Sequence, residues 1–149
     1  MFNTTVRRIR NEELEDLLGL YGQLHEGDPD IREDPRLEEH WDNILNDPNL
    51  HYLAVEVDGK IVSSCCLAII KNLTRAMRPY CIIENVITDR NFRKRGYGTM
   101  VLSKAVDIAR ERDCYKVMLL TGQKDEGTLR FYEQAGFVRG KKTGFIIDL

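Results

Sequence analysis

The chain predicts an α/β fold, and three observations carry that expectation. Apolar runs with strand character alternate with amphipathic stretches of helical period. The pair Asp58-Gly59 joins two of the strand-like runs and signals a tight antiparallel hairpin. A basic, glycine-containing loop, Asn91-Phe-Arg-Lys-Arg-Gly-Tyr-Gly-Thr-Met100, stands between an apolar run and an amphipathic helix.

In chain order, residues 5–9 form a first strand. Asn11 is placed to cap a helix over 12–20, with Leu14, Leu17, Leu18 and Tyr21 as its apolar stripe. Residues 25–35 are polar and read as a loop. Asp34-Pro35 supplies a cap and a first-turn proline for a second helix, which runs to about residue 46 and buries Leu37, Trp41, Ile44 and Leu45. Residues 51–57 and 60–70 are the hairpin strands, 71–79 a loop, and 81–88 (CIIENVIT) a mostly buried strand. Val101, Leu102, Ala105, Ile108 and Ala109 recur at helical spacing after the basic loop. A strand over 115–121, a helix that Asp125 can cap, and a last strand over 143–149 complete the order β-α-α-β-β-β-α-β-α-β.

The basic loop has the chemistry of a pyrophosphate site. Gly96 and Gly98 permit backbone conformations and close approaches that a Cβ would block, so consecutive N–H groups can face an anion at the positive end of the helix dipole. Arg93, Lys94 and Arg95 supply counter-charge. A dinucleotide fingerprint is excluded because Val101 stands where its third glycine or alanine belongs, and because a helix fills the stretch that should lead to an acidic strand end. A P-loop is excluded by the glycine spacing and the missing Lys-Ser/Thr pair. A plain basic turn before a glycine-initiated helix is the remaining structural reading.

Arg93-x-x-Gly96-x-Gly98 after an apolar strand, then a helix, the strand YKVMLLT at 115–121, and a helix carrying Phe131-Tyr-Glu-Gln-Ala-Gly-Phe137 together resemble the GNAT superfamily of acetyl-CoA-dependent N-acetyltransferases. The close similarity covers residues 80–137, and the first half agrees in element order and patterning. The resemblance implies one acyltransferase domain over 1–149, with a mixed, mainly antiparallel sheet flanked by helices. It implies acetyl-CoA as co-substrate, its pyrophosphate on the loop formed by Arg93, Lys94, Arg95, Gly96, Tyr97, Gly98 and Thr99. It also implies a pantetheine arm lying along the backbone of Val86 and Ile87 like an added strand, with a backbone N–H near Val86 as oxyanion donor.

Glu84 is the candidate base, as the one ionisable side chain inside the strand 81–88; the rival readings are a solvent-facing carboxylate at a splay in the sheet, or a pair with Arg75 or Arg78. Asn85 reads as a hydrogen-bonding strand residue on the opposite face. Tyr132 reads by spacing as helix packing with Leu129 and Ala135; the resemblance makes it the acid that protonates the departing thiolate. Gly136 is a left-handed helix cap. Two positions depart from many relatives: Asp125 and Thr128 replace an Asn and an Ala, and Asp125 cannot donate a hydrogen bond to the coenzyme.

Composition narrows the function classes. A length of 149 residues fits one domain, and 42% hydrophobic with 31% charged residues fits a globular protein. A net charge of −2 gives no bulk attraction to nucleic acid. No apolar run reaches spanning length and the first residues lack a basic leader, so the expectation is a cytoplasmic protein without a membrane partner. Cys65, Cys66, Cys81 and Cys114 lie in or beside apolar strands and read as reduced core residues; His25, His40 and His51 are scattered, so no metal is expected.

For the acceptor, residues 25–39 set seven acids against two arginines, a rim that suits a cationic amine or is an ordinary solvated loop. The loop Lys71-Asn-Leu-Thr-Arg-Ala-Met-Arg78 is basic, and Thr121-Gly122 leaves a small polar opening. The expected function is acetyl transfer from acetyl-CoA to a primary amine of a small molecule or peptide in a ternary complex. A non-catalytic acyl-CoA sensor, a hydroxyl acceptor and a longer acyl donor are the alternatives. A last strand left exposed would be free to pair with a second copy, giving a homodimer.

Overall fold

A computed structural model describes residues 3–149; Met1 and Phe2, the first residues of the stretch expected to lack a basic leader, lie outside them. Five strands form one sheet in the order β1-β2-β3-β4-β5: Thr4–Arg8, Leu50–Val57, Lys60–Ile70, Tyr80–Thr88 and Val117–Leu119. Every pairing is antiparallel except the last, where Cys81, Ile82 and Ile83 of β4 run parallel to Val117, Met118 and Leu119. Asp58 (φ 49°) and Gly59 (φ 85°) make the two-residue turn between β2 and β3, both with the positive φ that matches the twist of a hairpin.

Among the described residues four long helices cover the sheet, α1 (Leu14–Leu24), α2 (Leu37–Asn46), α3 (Tyr97–Glu111) and α4 (Glu126–Gln134), and a single distorted turn, Thr74–Met77, lies in the loop between β3 and β4. On one face α3 lays Val101, Leu102 and Ala105 against Leu53, Val55, Cys65, Leu67, Cys81 and Ile83. On the other, Leu17 and Leu20 of α1 and Trp41 of α2 pack on Ala54, Ile61 and Ile87. Cys81 and Ile83 thus face α3 whereas Ile87 faces α1. This change of face follows from a bulge: Ser64 pairs with Ile87 and Cys66 with Glu84, leaving Asn85 and Val86 opposite Cys65 alone.

Several expectations are corrected. Asn11 does not cap α1; it starts a 3-10 turn, Asn11–Glu13, closed by the Arg10 N–H donating to Glu13 Oε1 at 2.7 Å, while its carbonyl accepts from Trp41 Nε1 at 3.0 Å. Helix α1 then runs four residues past Leu20, because Tyr21 and Leu24 still meet the core. The Asp34-Pro35 pair lies one turn ahead of α2, and Asp34 accepts the Arg36 N–H within that turn. Strand β5 is only three residues long. The strand expected over 143–149 does not form: these residues make no ladder, and Phe145, Ile146, Ile147 and Leu149 are exposed. All four cysteines are free, with the thiols of Cys81 and Cys114 at 3.2 Å.

Candidate active site

Strand β4 is paired to β3 along most of its length but to β5 only at Cys81–Ile83, so from Glu84 to Thr88 its outer edge has no strand beside it. The gap is a slot in the sheet, open at the end where β4 turns into the basic loop. Asn85 sits at its head with φ 53°, the left-handed conformation that asparagine tolerates better than most residues. This strained residue is one the sequence reading missed; the available signal was an asparagine in the middle of a β-branched run. The Val86 side chain is half-buried toward α3, and the Ile87 side chain is buried toward α1 with its carbonyl accepting from Ser63 Oγ at 3.1 Å.

Asp89 fixes the exit of the slot. Its N–H donates to the Val62 carbonyl at 2.8 Å, its carboxylate accepts the Asn91 N–H at 2.9 Å, and Lys60 Nζ lies 3.4 Å away. Burial pushes this carboxyl up, but the Asn91 N–H and the Lys60 ammonium outweigh it and hold the pKa below the ordinary aspartate value. Beyond it, Lys94 (φ 61°) and Gly96 (φ 85°) turn the chain sharply into α3. The Met100 N–H donates to the Gly96 carbonyl, which leaves the N–H groups of Tyr97, Gly98 and Thr99 without intrahelical partners. Arg93, Lys94 and Arg95 surround them, exposed and, among the described residues, in no ion pair; Arg93 Nε donates to the Thr88 carbonyl at 3.2 Å and Arg95 lies over the Phe92 ring. A helix N-terminus, three free amides and three uncompensated cations can hold a polyanion.

Two residues of this loop act differently from the expectation. Gly98 is needed for packing: a Cβ there would lie 2.9 Å from Phe131 Cζ and 3.3 Å from Thr88 Oγ1, so α4 and β4 close directly on α3. The Tyr97 side chain is buried in the core beside Phe92, so only its backbone N–H faces the loop. Gly96 needs its glycine for the positive φ, with open space where a Cβ would point.

Glu84 is exposed at the splay, which corrects the expectation of a carboxylate enclosed by its strand; neither Arg75 nor Arg78 pairs with it. Arg78 instead bonds Asp113, and Arg75 stacks on Tyr115. Tyr132 projects from α4, half-buried, with its ring 4.9 Å from Phe131 and 6.4 Å from Phe137. Burial raises its phenol above the usual tyrosine value, and the Cys65 thiol and the Glu84 carboxylate add to the shift. From the opposite face, the Tyr21 hydroxyl on α1 is buried without a hydrogen-bond partner, near enough to Asn85 for that side chain to affect its acidity. Asp125 caps α4, accepting the Thr128 N–H at 2.9 Å and the Thr128 hydroxyl at 3.0 Å, and Gly136 (φ 102°) ends it.

One surface hollow lies between Asn11, Arg32, Pro35 and Trp41, and another, between Gln23, Lys60 and Asp89, adjoins the exit of the slot. In the acidic 25–39 segment, Arg32 bonds Glu15 at 2.6 Å and Asp30 at 3.0 Å, and Arg36 holds the Asp34 carboxyl down to about 2. Both arginines are thus occupied by acids of the same region, and the remaining carboxylates set its charge.

The chain is similar in sequence and in architecture to known proteins. Residues 8–137 match the family described as acetyltransferase (GNAT). The chain is 28% identical over 137 residues to an uncharacterized N-acetyltransferase of Methanocaldococcus jannaschii, a match covering 89% of this chain and 60% of that one. It is 38% identical over 79 residues to the glucosamine 6-phosphate N-acetyltransferase of Trypanosoma brucei brucei, covering 53% and 52% of the two chains. The matched part thus spans little more than half the length of these curated relatives. A solved structure from Agrobacterium tumefaciens strain C58, described only as an acetyltransferase, superposes with a TM-score of 0.91 at 41% identity over 97% of this chain and 99% of that one. The family match over most of the chain and the shared architecture lead to one conclusion: the chain belongs to the GNAT acetyltransferase family.

Proposed function

We propose that this chain transfers an acetyl group from acetyl-CoA to a primary amine. The observation that carries the reading is the continuity of the slot: a strand edge without a neighbour from Glu84 to Thr88 leads directly to the free amides of Tyr97, Gly98 and Thr99 and the cations Arg93, Lys94 and Arg95. An arm with amide groups can hydrogen-bond to such an edge, and a pyrophosphate suits the helix end. Acetyl-CoA supplies the activated acyl group as a thioester. Val86, beside the strained Asn85, is the residue whose backbone N–H stabilises negative charge on the acyl oxygen. Tyr132, kept protonated by burial, donates its proton to the leaving sulfur, and Glu84, exposed where the slot meets solvent, receives the proton of the incoming amine directly or through water. The unpaired carboxylates of the 25–39 segment favour an acceptor of positive charge.

The test combines product detection with a variant. CoA release from acetyl-CoA is measured with polyamines, aminoglycosides, amino sugars, amino acids and lysine peptides, with mass spectrometry of the product. Amine-dependent release with an acetylated product is expected. Arg93→Glu should weaken CoA binding about tenfold or more by calorimetry while leaving thermal stability nearly unchanged. Tight acetyl-CoA binding with no product from any amine would favour a coenzyme sensor over a transferase, and unchanged CoA affinity in Arg93→Glu would remove the loop from the binding site.

A further inference from the structure

The cysteines are the reactive groups that the proposed chemistry leaves unused, and two of them meet. Cys81 is the first residue of β4 that pairs with β5, Cys114 follows the turn that ends α3, and their thiols lie 3.2 Å apart. Backbone contacts hold the approach on both sides. The Tyr115 N–H donates to the Pro79 carbonyl at 2.9 Å and the Cys81 N–H to the Lys116 carbonyl at 3.0 Å, so the two segments are laced together around the sulfurs. The Cys114 N–H donates to the Ala109 carbonyl at 2.9 Å, and Arg78 Nη2 donates to the Cys114 carbonyl at 3.2 Å. Cys81 is wholly buried on the α3 face of the sheet, whereas Cys114 is partly exposed. The other two thiols are not placed for such a contact. Cys65 packs on the α3 face, and Cys66, next in the strand and paired with Tyr52, points to the other.

We propose that Cys81 and Cys114 are a site of reversible oxidation by peroxide, and that the disulfide they form staples the segment between them. Cys114 reacts first, because of the two it is the one open to solvent. Its thiolate attacks one peroxide oxygen, the O–O bond breaks, and the departing hydroxide is protonated to water, which leaves a sulfenic acid at Cys114. The Cys81 sulfur then attacks the Cys114 sulfur; the S–O bond breaks, and the hydroxide leaves with the Cys81 proton as a second water. Two thiols and one peroxide thus give one disulfide and two waters. Burial, and then the contact with the Cys114 sulfur, push the Cys81 thiol up to about 12. Cys81 therefore does not compete for peroxide and acts on the sulfur already held against it. Bond formation asks the sulfurs to close by only about 1 Å. The bridge makes a covalent loop of residues 82–113, which contain the unpaired edge of β4 from Glu84 to Thr88, the cations Arg93, Lys94 and Arg95, and the whole of α3. Closing that loop restricts the unfolded chain, so the oxidised form is the more stable one.

The proposal does not rest on the transferase reading and is tested without an activity assay. The full chain, reduced and then freed of reductant, is treated with a small excess of hydrogen peroxide. Its intact mass should fall by about 2 Da, the two thiol hydrogens, and return on addition of dithiothreitol. Peptide mapping without reductant should join Cys81 to Cys114 and leave Cys65 and Cys66 as thiols. The melting temperature of the bridged chain should rise by roughly 5–10 °C. In Cys81→Ala the sulfenic acid at Cys114 has no thiol to meet and should be trapped by dimedone, whereas in Cys114→Ala the buried Cys81 should stay a thiol under the same treatment. The map of the native chain decides the pairing whether or not either variant folds. A native chain that keeps its four thiols, that links another pair or another copy, or that gains a sulfinic acid at Cys114 while Cys81 stays free overturns the proposal. A bridge that leaves the melting temperature unchanged overturns the staple.

Discussion

Tyr132 shows how one side chain takes its chemistry from its surroundings. Enclosed by Phe131 and Phe137 and facing the charge of Glu84, its phenol is held above the ordinary value of 10, so it keeps its proton throughout the neutral range. A group that must be protonated to act is lost only as pH rises through its raised pKa. With Tyr132 as the proposed acid, the alkaline limb of turnover is therefore expected above pH 10, with a flat profile below it from this residue. Tyr132→Phe should lower kcat about a hundredfold with little change in acetyl-CoA affinity. Steady-state kinetics with a calorimetric Kd separates the two effects, and an unchanged kcat would return Tyr132 to the packing role its spacing alone suggests. The helix that carries Tyr132 was legible because its motif is local. Asn85 was not, since its left-handed backbone arises from the register of β4 against Cys65 on another strand, a non-local fact that no window of the sequence contains.

Among the elements, α3 is central to the packing and the proposed binding site lies at its start, where Gly96 caps it and Gly98 lies in its first turn. Gly96 supplies the turn and faces open space, whereas Gly98 lets Phe131 of α4 and Thr88 of β4 approach the helix closely. Gly98→Ala should cost about 1–3 kcal/mol from overpacking, read by denaturant unfolding. Combining it with Phe131→Leu, which removes the clashing ring atoms, should recover part of that loss, and additive effects in the double variant would rule out the contact as the cause. The helices and the hairpin were readable because their apolar periods are strong. Their starts were less so. Asn11 and Asp34-Pro35 carry good capping chemistry, but Trp41 and Glu13 claim the backbone around Asn11, and Arg36 occupies Asp34. The last strand expected over 143–149 does not form: the alternation of its apolar residues is a local signal, and a strand also needs a partner edge, which no local window of sequence contains.

Across the whole molecule the two sheet edges differ. At the β1 edge, Arg7 bonds Glu13 through two contacts of 2.7 Å and Glu56 of β2 at 2.8 and 3.1 Å, tying the first strand, the turn before α1 and the second strand into one charged knot. The β5 edge has no such closure. The knot is mostly shielded from solvent, with side-chain exposures of 16%, 12% and 23% for Arg7, Glu13 and Glu56, so its hydrogen bonds are not dissipated by screening. The Arg7 guanidinium, helped by the Arg10 N–H and working against burial, holds the Glu13 carboxyl below the usual glutamate value. A depressed folded pKa contributes stability that is present above the unfolded value, near 4.5, and disappears as pH falls through the lower folded value. Unfolding free energy should therefore decline on acidification from about pH 5. Glu13→Gln should cost about 1–3 kcal/mol at neutral pH and flatten that decline, as urea titrations at stepped pH would register. Asp89 is also depressed, but its partners are Asn91, in the turn after β4, and Lys60, the first residue of β3. If Glu13→Gln left the acid slope intact, the dependence would belong to Asp89, and acidification would then release the loop that enters α3 before it loosened β1.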